Sequence, residues 1–242
     1  MNPLFIETTD STNQWMKSLL MKQPDLPDYF TVYTNFQTAG RGQGSHRWQS
    51  EKGKNVLASL LFKPIISPSR QFVVNQCFAL SVRHLLSHYA KNVKIKWPND
   101  IYVENQKIAG ILIEHFIEGE KIKNTIAGVG INVNQTNFDD DIPNPISLKL
   151  LLNKDFDPAG VLQELINCCR QFKCSENTNY QEINNEYLNS LYLMEEYADY
   201  EIDNKIMEAK IVGIDNYGRL LLCDKKGQQY CCGMREVRLC LK

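Results

Sequence analysis

The chain has 242 residues, 43% of them hydrophobic and 23% charged, which is the composition of an ordinary folded protein with a sizeable core. Its 27 basic and 28 acidic residues leave a net charge of -1, which gives no support to broad electrostatic attraction to nucleic acid. No stretch approaches the roughly 20 apolar residues of a membrane span, and the N-terminus lacks the basic start and apolar core of a signal peptide. We therefore predict a cytoplasmic protein with no nucleic-acid partner and no membrane partner.

The eight cysteines do not have the spacing of a metal site, because no C-x-x-C occurs and two of the pairs are vicinal. Without a secretory signal, reduced and mostly buried thiols are expected. His84 and His88 stand four residues apart, but Leu85 follows the first histidine where a metalloprotease helix needs glutamate. The sequence therefore assigns no metal-binding residue.

The N-terminal region begins with a short predicted strand at residues 5–6 and a helix that opens at residues 11–14, with the sequence STNQ. Ser11 and Gln14 have the spacing of a capping box, which satisfies helix N-terminal amides and needs no function to explain it. The alternative is that the exposed hydroxyls of a helix N-terminus bind a polar ligand head. On spacing alone the cap is favoured.

A predicted strand at 31–37 is followed by the lid loop, our name for residues 38–50, with the sequence TAGRGQGSHRWQS. Three glycines free its backbone, while Arg41 and His46 supply donors and Trp48 a large flat face. The spacing is neither G-x-G-x-x-G nor a Walker loop. Glycine combined with arginine and tryptophan favours a segment that closes over a ligand.

A β-like run at 54–63 and a long amphipathic helix at 69–90 lead into residues 93–134. Three apolar runs lie there, separated by polar turns at 104–106 and 118–119, so three successive antiparallel strands are predicted. Polar residues mark the ends of these strands: Lys96, Asn99, Asp100, Lys107 and Asn132. Their types suit convergence on a small anionic ligand.

Two more helices are predicted at 158–174 and 180–194. From about residue 197, short β-rich runs alternate with turn clusters, which indicates roughly five strands in a small barrel-like domain. The predicted domains are therefore 1–196, which carries the polar strand ends and the lid loop, and 197–242.

The sequence lacks a P-loop, a kinase signature and a dinucleotide fingerprint. Arg41, Lys107 and Lys96 would suit two anions brought together, as when a carboxylate attacks an α-phosphate and cations offset the charge that builds up. The product would be an acyl-adenylate, which water destroys. A lid with Trp48 would protect it.

The sequence closely resembles the biotin protein ligase family over nearly its whole length. The motifs that carry the resemblance are residues 11–13, the lid loop, KWPNDIYVENQKIAGILIE, GVGINVN and the terminal GIDNYGRLLL. The resemblance implies an α+β fold, in which a mixed, largely antiparallel sheet with packed helices forms a class II synthetase-like catalytic domain, followed by a C-terminal SH3-like β-barrel. It also implies that biotin and ATP, with Mg²⁺, form biotinyl-5′-AMP, and that a lysine of a biotin carboxyl carrier protein then accepts the biotinyl group. A homodimer is among the assemblies that the resemblance allows.

The resemblance also implies roles for individual residues. Biotin contacts are expected from Ser11, Thr12, Asn13, Gln37, Gly40, Arg41, Lys107, Gly110 and Ile111. Nucleotide contacts are expected from Gln43, His46, Trp48, Asn99 and Asn132. Arg41, Lys107 and Asp100 are the expected catalytic residues, but an aspartate of ordinary pKa ~3.9 is a poor base for an ammonium near ~10.4, so orienting the incoming amine or placing a metal ion fits Asp100 equally well.

The sequence departs from the family pattern in two places. Many members have a loop of the form G-R-G-R-x-G-R-x-W, whereas Gln43 and His46 replace arginines here, so we expect looser retention of the adenylate. The chain also begins directly at the catalytic motifs, without a helix-turn-helix, so no operator binding is expected. Two alternatives remain open: a lipoate or octanoate ligase, whose arginine-arginine and triple-glycine signature is missing, and a non-catalytic biotin-binding module.

Overall fold

A computed structural model describes residues 2–44, 46–140, 142–172, 174–175 and 178–240. Ser45 of the lid loop, Asp141 of the acidic loop after the central strands, and residues 241–242 of the predicted C-terminal domain lie outside this part. The molecule consists of a large mixed sheet with packed helices and a second, smaller antiparallel sheet. The predicted α+β class is confirmed.

The large sheet has seven strands in the order β1-β2-β3-β7-β6-β5-β4. The strands are β1 Leu4–Thr9, β2 Thr31–Gln37, β3 Val56–Phe62, β4 Val93–Lys96, β5 Asp100–Val103, β6 Gln106–Glu118 and β7 Lys121–Ile131. β1 runs parallel to β2, and every other neighbouring pair is antiparallel. The sheet is therefore mixed and largely antiparallel, as predicted.

The prediction of three strands for residues 93–134 was wrong, because the first apolar run folds as two strands. β4 and β5 form a tight hairpin in which Lys96 pairs with Asp100. Its turn contains a cis peptide bond between Trp97 and Pro98. Proline has no N–H to donate to a sheet ladder, so Pro98 marks a turn rather than a strand interior. The consequence is that both charged residues lie at one end of the hairpin.

The helices are α1 Thr12–Lys22, α2 Gln71–Ser87, α3 Leu148–Leu152, α4 Pro158–Gln171 and α5 Tyr180–Asn189. All but α3 correspond to predicted helices. Helix α2 packs against α4, α5 and the sheet, and Val82, Leu85 and Leu86 on it are fully buried. Burial of such aliphatic side chains contributes about 1.5–3 kcal/mol each, so this layer supplies much of the core. Within the described residues, no helix is long and apolar enough to cross a membrane.

The small sheet has the order β11-β10-β9-β8-β12 and is antiparallel throughout. Its strands are β8 Tyr197–Ile202, β9 Lys205–Ile214, β10 Leu220–Asp224, β11 Gln229–Cys232 and β12 Val237–Leu239. The five strands predicted after residue 196 are therefore found, in an arrangement consistent with an SH3-like domain. The domain boundary near 196 stays a prediction.

The small sheet is attached to the main body beside the β4–β5 hairpin. The Trp97 indole Nε1 donates to the Gly218 carbonyl over 3.0 Å. Gly218 has φ +83, and a Cβ there would lie 2.2 Å from Phe72 Cδ2 of helix α2. Both the left-handed backbone and the close approach require glycine. This contact brings the small sheet against the polar end of the hairpin.

Candidate active site

One cavity of about 260 Å³ lies between the face of the large sheet, the lid loop and the small sheet. Its cationic lining residues are Arg41, Arg47, Lys96, Lys107 and Arg238, whereas Asp100 is the one carboxylate among its described lining residues. A lining with this excess of positive charge suits an anionic ligand.

Most of the predicted site residues come together in this cavity. Those that line it are Ser11, Thr12, Asn13, Gln37, Arg41, Gln43, His46, Trp48, Asn99, Asp100, Lys107, Gly110 and Ile111. Gly40 and Asn132 lie outside the lining. The sequence analysis missed Ser59, Glu114, Gly128, Gly130 and Tyr200, which line the cavity or contact residues that line it.

The N-terminus of helix α1 points its polar residues at one end of the cavity. Ser11 is the N-cap residue, but its side chain makes no capping hydrogen bond, so the predicted capping box is not formed. Instead the Asp10 carboxylate accepts from the Ser11 backbone N–H over 2.6 Å. The Ser11 hydroxyl is therefore left to the cavity, which supports the alternative interpretation of the STNQ segment.

A buried network of hydrogen bonds surrounds the next two residues. The Thr12 backbone N–H donates to Gln37 Oε1 over 2.9 Å, and the Thr12 hydroxyl lies 3.2 Å from the same oxygen. Ser59 Oγ lies 2.8 Å from Thr12 Oγ1 and 2.6 Å from Asn13 Oδ1. The Asn13 amide nitrogen donates to Glu114 Oε2 over 2.9 Å and to the Leu112 carbonyl. These contacts join β2, β3 and β6 to the start of helix α1.

Asp100 and Lys107 form an ion pair at the other end of the cavity, with Lys107 Nζ 2.7 Å from Asp100 Oδ2. They lie on the neighbouring strands β5 and β6, and the register between these strands shifts between Ile101 and Tyr102. Both side chains are about one quarter exposed, at 24% and 26%. The pair is therefore accessible to an incoming anion.

The backbone of Lys107 is held on its far side by the segment around Pro145. Its N–H donates to the Asn144 carbonyl over 2.7 Å, and its own carbonyl accepts from Ile146 over 3.0 Å. Asn132, which is 4% exposed, donates its amide to the Ile146 carbonyl over 3.0 Å. In this structure Asn132 thus braces Lys107, and its predicted contact with nucleotide stays a prediction.

Lys96 adds a second cation beside this pair. Burial lowers the pKa of Lys96 from its usual value, and Lys107 lowers it further, while Asp100 raises it. Lys96 Nζ also lies 5.7 Å from the centre of the Tyr102 ring. A cation held in this partly desolvated position interacts more strongly with a ligand anion than one in water does.

Trp48 lies directly on the large sheet. A Cβ on Gly110 would be 2.8 Å from its ring, and a Cβ on Gly130 would be 2.2 Å from it. These two glycines pair with each other across β6 and β7, so together they leave a flat space that the indole fills. The indole Nε1 is buried and has no hydrogen-bond partner within the described part of the chain. A buried N–H without an acceptor destabilises the folded chain. Trp48 Nε1 is therefore suited to donate a hydrogen bond when a ligand is present.

The lid loop is a short hairpin. Arg41 and Arg47 pair in an isolated antiparallel bridge, and the Gly42 N–H donates to the His46 carbonyl over 2.8 Å. A Cβ on Gly40 would lie 2.4 Å from the Trp48 carbonyl, so glycine is needed for the loop to close on itself. Both arginine side chains are exposed at the cavity mouth.

The remaining lining residues are more buried. Asn99, 6% exposed, donates its amide to the Ile111 carbonyl and so fixes the KWPND turn on β6. Tyr200 on β8 is 2% exposed, and its hydroxyl has no partner among the described residues. The small sheet therefore contributes an unpaired polar atom to the cavity. No group of three histidine, cysteine or acidic side chains able to hold a metal ion occurs within the described residues.

A model of the biotin/lipoate A/B protein ligase family matches residues 5–132, which is more than half of the chain. The chain is 31% identical over 214 residues to the bifunctional ligase/repressor BirA of Bacillus spizizenii, with 83% of this chain and 63% of that protein covered. It thus spans less than two thirds of the length of that relative. It is also 25% identical over 229 residues to the biotin–[acetyl-CoA-carboxylase] ligase of Paracoccus denitrificans, covering 91% of this chain and 94% of that protein.

Among solved structures, the biotin protein ligase of Aquifex aeolicus in complex with biotin and ATP has a similar fold. The TM-score is 0.75 at 24% identity, and the match covers 99% of each chain. At this identity the likeness shows the fold.

Proposed function

Since the chain belongs to the biotin/lipoate A/B protein ligase family, we propose that it is a biotin–protein ligase. It activates biotin with ATP to biotinyl-5′-AMP and transfers the biotinyl group to a lysine of a biotin carboxyl carrier protein. The observation that carries this proposal is a single cavity with two unlike ends. One end is lined by the hydroxyl and amide groups of residues 11–13, and the other by Lys96, Asp100 and Lys107.

The two ends match the two ends of biotin. The cyclic urea offers one carbonyl and two N–H groups, which suit hydroxyls and amides. The carboxylate at the other end suits Lys107 and Arg41. The glycine pair of Gly110 and Gly130 lets the Trp48 indole lie flat against the sheet, where it forms one wall of the cavity. The Paracoccus denitrificans relative, whose name describes ligation of biotin, supports the same choice.

In the first step the biotin carboxylate oxygen bonds to the α-phosphorus of ATP, and pyrophosphate leaves. The reacting groups are both anionic, so their approach is unfavourable without compensating charge. Lys107, Lys96 and Arg41 supply that charge, and it acts most strongly on the extra negative charge of the transition state. Trp48 and the lid loop then keep water from the mixed anhydride.

Magnesium is expected to enter as the complex with ATP. Mg²⁺ prefers six oxygen ligands and usually keeps several waters beside phosphate oxygens and one or two carboxylates. The cavity offers Asp100 as its one described carboxylate, which fits a metal held mainly by the phosphates. When bound, the ion would neutralise phosphate charge, and Asp100 is the side chain here that would contact it.

In the second step the amine of the carrier lysine attacks the acyl carbon, and AMP leaves. We propose that Asp100 orients the incoming ammonium group by an ion pair, a position that Lys107 occupies in this structure. Asp100→Asn should therefore slow transfer of biotin to the carrier at least about tenfold more than it slows formation of biotinyl-5′-AMP. Equal loss in both half-reactions would contradict this role.

The test of the overall proposal is incubation of the purified chain with Mg-ATP and either biotin or lipoate. Biotin-dependent release of pyrophosphate and a biotinyl-AMP mass are the expected results. Release with lipoate alone would assign the chain to the lipoate branch of its family. Binding of biotin without pyrophosphate release would make it a binding module.

A further inference from the structure

We infer that Ser59 and Glu114 are positioning residues, which fix the hydroxyl hydrogen of Thr12 inside the protein and so make Thr12 an acceptor for a ligand N–H. This inference rests on the proposed function and names the groups behind the cavity wall that make the site selective for a cyclic urea. Neither residue lines the cavity, so both act through Asn13 and Thr12.

Glu114 determines which group donates and which accepts in each hydrogen bond of the network. A carboxylate oxygen and a peptide carbonyl accept hydrogen bonds, and these are the two partners of the Asn13 amide nitrogen. The NH₂ group of Asn13 must therefore face Glu114 and Leu112. Its carbonyl oxygen then faces Ser59 and needs a donor there.

Ser59 is the donor that Asn13 requires. Its hydroxyl has a single hydrogen, and that hydrogen is committed to Asn13 Oδ1 at 2.6 Å. Gln37 Oε1 lies 3.2 Å from Thr12 Oγ1 and already accepts from the Thr12 backbone N–H over 2.9 Å. The shorter contact, 2.8 Å between Ser59 Oγ and Thr12 Oγ1, has no hydrogen unless Thr12 supplies it, so Thr12 donates to Ser59. In this series of hydrogen bonds, the Thr12 hydroxyl donates to Ser59, the Ser59 hydroxyl donates to Asn13, and the Asn13 amide donates to Glu114.

The consequence for the cavity is that Thr12 presents lone pairs and no hydrogen. Thr12 and Ser59 are 3% and 0% exposed, so water cannot readily supply an alternative partner. The adjacent Ser11 hydroxyl makes no cap bond and is free to donate. Neighbouring hydroxyls of opposite polarity match a ring in which an N–H stands next to a carbonyl, as in a cyclic urea.

Close packing keeps the network in place. A Cβ on Gly128 would lie 2.3 Å from Asn13 Oδ1, so this glycine of β7 leaves the space that Asn13 occupies. Gly128 is the first glycine of the GVGINVN motif. The network therefore spans four strands and one helix, and its geometry does not depend on the lid loop.

Because the Thr12 hydroxyl presents lone pairs to the cavity, a member of a biotin and lipoate family can discriminate against lipoate. A dithiolane ring has no N–H, and it would leave the buried Thr12 acceptor unpaired. Sites built to hydrogen-bond a substrate group reject analogues that lack it far more strongly than apolar pockets reject a missing methylene.

The experiment uses biotin and the two cyclic carbamates in which one or the other ring N–H is replaced by oxygen. Dissociation constants are measured by calorimetry on the full chain, without ATP. For the wild-type chain, one of the two carbamates should bind at least about 100-fold more weakly than biotin, because an ether-type oxygen then faces the Thr12 lone pairs. In Ser59→Ala the Thr12 hydroxyl loses its 2.8 Å partner and keeps only the longer 3.2 Å contact with Gln37 Oε1, so its hydrogen can turn toward the ligand oxygen. The ratio of the carbamate to the biotin dissociation constant should then fall to about tenfold or less.

Two further variants separate positioning from structure. Glu114→Gln should also lower the ratio of the carbamate to the biotin dissociation constant, but by a smaller factor than Ser59→Ala does. The reason is that the glutamine amide can bond either the NH₂ group or the carbonyl oxygen of Asn13. Ser81→Ala removes another buried serine hydroxyl, which bonds the Cys77 carbonyl in helix α2 away from the cavity, and should leave the ratio unchanged. Thermal melting of all three variants checks that each is folded.

An unchanged ratio in both Ser59→Ala and Glu114→Gln would overturn the inference, as would equal binding of biotin and both carbamates to the wild-type chain. If the wild-type chain releases pyrophosphate with biotin while the ratios stay unchanged, the proposed function stands and only the positioning role fails. If it neither binds biotin nor releases pyrophosphate with it, the proposed function itself fails.

Discussion

Lys107 Nζ lies 2.7 Å from Asp100 Oδ2, so the cation that we propose for adenylation is already paired with a carboxylate before any ligand arrives. Because both side chains are about one quarter exposed, water weakens the pair and a substrate anion can compete for the ammonium group. The Lys107 backbone is fixed on both sides, by β5 and by the segment around Pro145. The fold therefore fixes the point from which the Lys107 side chain extends toward Asp100.

The first prediction is that Lys107→Ala abolishes most adenylation and leaves the fold intact. Loss of one charge that stabilises a transition state costs about 10²–10³-fold in rate. The measurement is biotin-dependent pyrophosphate release, with thermal melting as the test of folding. Lys123→Ala is a matched control, since Lys123 is also paired with a carboxylate, that of Glu118, on the same sheet but outside the cavity. Near-normal biotinyl-AMP formation by Lys107→Ala would show that the adenylation role belongs to another residue.

The second prediction concerns the indole that lies on the paired glycines. Gly130→Ala places a methyl group 2.2 Å from the present position of Trp48 Cε2, so the ring must move off the sheet. We expect the Trp48 fluorescence to shift to longer wavelength as the ring enters water, and biotinyl-AMP to escape about tenfold faster, which corresponds to ~1.4 kcal/mol. The Trp48 signal is obtained by subtracting the spectrum of the matching Trp48→Phe protein. Unchanged emission would mean that the sheet yields instead of the ring.

Local sequence signals predicted the elements of the fold well where periodicity was strong. Helices α2 and α4 and the five C-terminal strands follow directly from apolar spacing, because long regular patterns bury one face. The β4–β5 hairpin was missed because the apolar runs on either side of Pro98 look continuous. Its proline was the signal that could have divided them.

The candidate site could be predicted only in part. Motifs identified the side chains that enter the cavity, such as Lys107 and Trp48, since these combine unusual residue types at fixed spacing. Ser59 and Glu114 have no such signal, because a serine or glutamate in a strand is ordinary and their importance comes from contacts between residues more than 40 positions apart. Tyr200 was missed for the same reason, since the approach of the small sheet depends on tertiary packing.

The third prediction compares two buried tyrosines. The Tyr187 hydroxyl donates to the Pro98 carbonyl over 2.6 Å, whereas the Tyr200 hydroxyl has no partner among the described residues. Tyr187→Phe should lower the free energy of unfolding by about 1–2 kcal/mol, and Tyr200→Phe should leave it unchanged or raise it. Urea denaturation of the two variants measures both values. If Tyr200→Phe destabilises the ligand-free chain as much as Tyr187→Phe does, the Tyr200 hydroxyl has a partner in solution.

The last prediction is a dependence of stability on pH that comes from His115. Burial lowers the pKa of His115 from its usual 6.5 to about 4, and its Nδ1 lies 2.9 Å from Thr125 Oγ1. Between pH 6.5 and about 4, His115 is protonated in the unfolded chain and neutral in the folded chain. The free energy of unfolding should therefore fall as the pH falls through this window. The contribution is on the order of 1–2 kcal/mol between pH 7.5 and pH 5.

The measurement is urea denaturation at pH 7.5 and pH 5 for the wild-type chain, His115→Gln and His88→Gln. Glutamine at position 115 can still bond Thr125 but does not titrate, so the difference between the two pH values should shrink in that variant. His88 is exposed at the end of helix α2, and replacing it should leave the difference as in the wild-type chain. A pH difference that is the same in His115→Gln and wild type would assign the acid sensitivity to other groups.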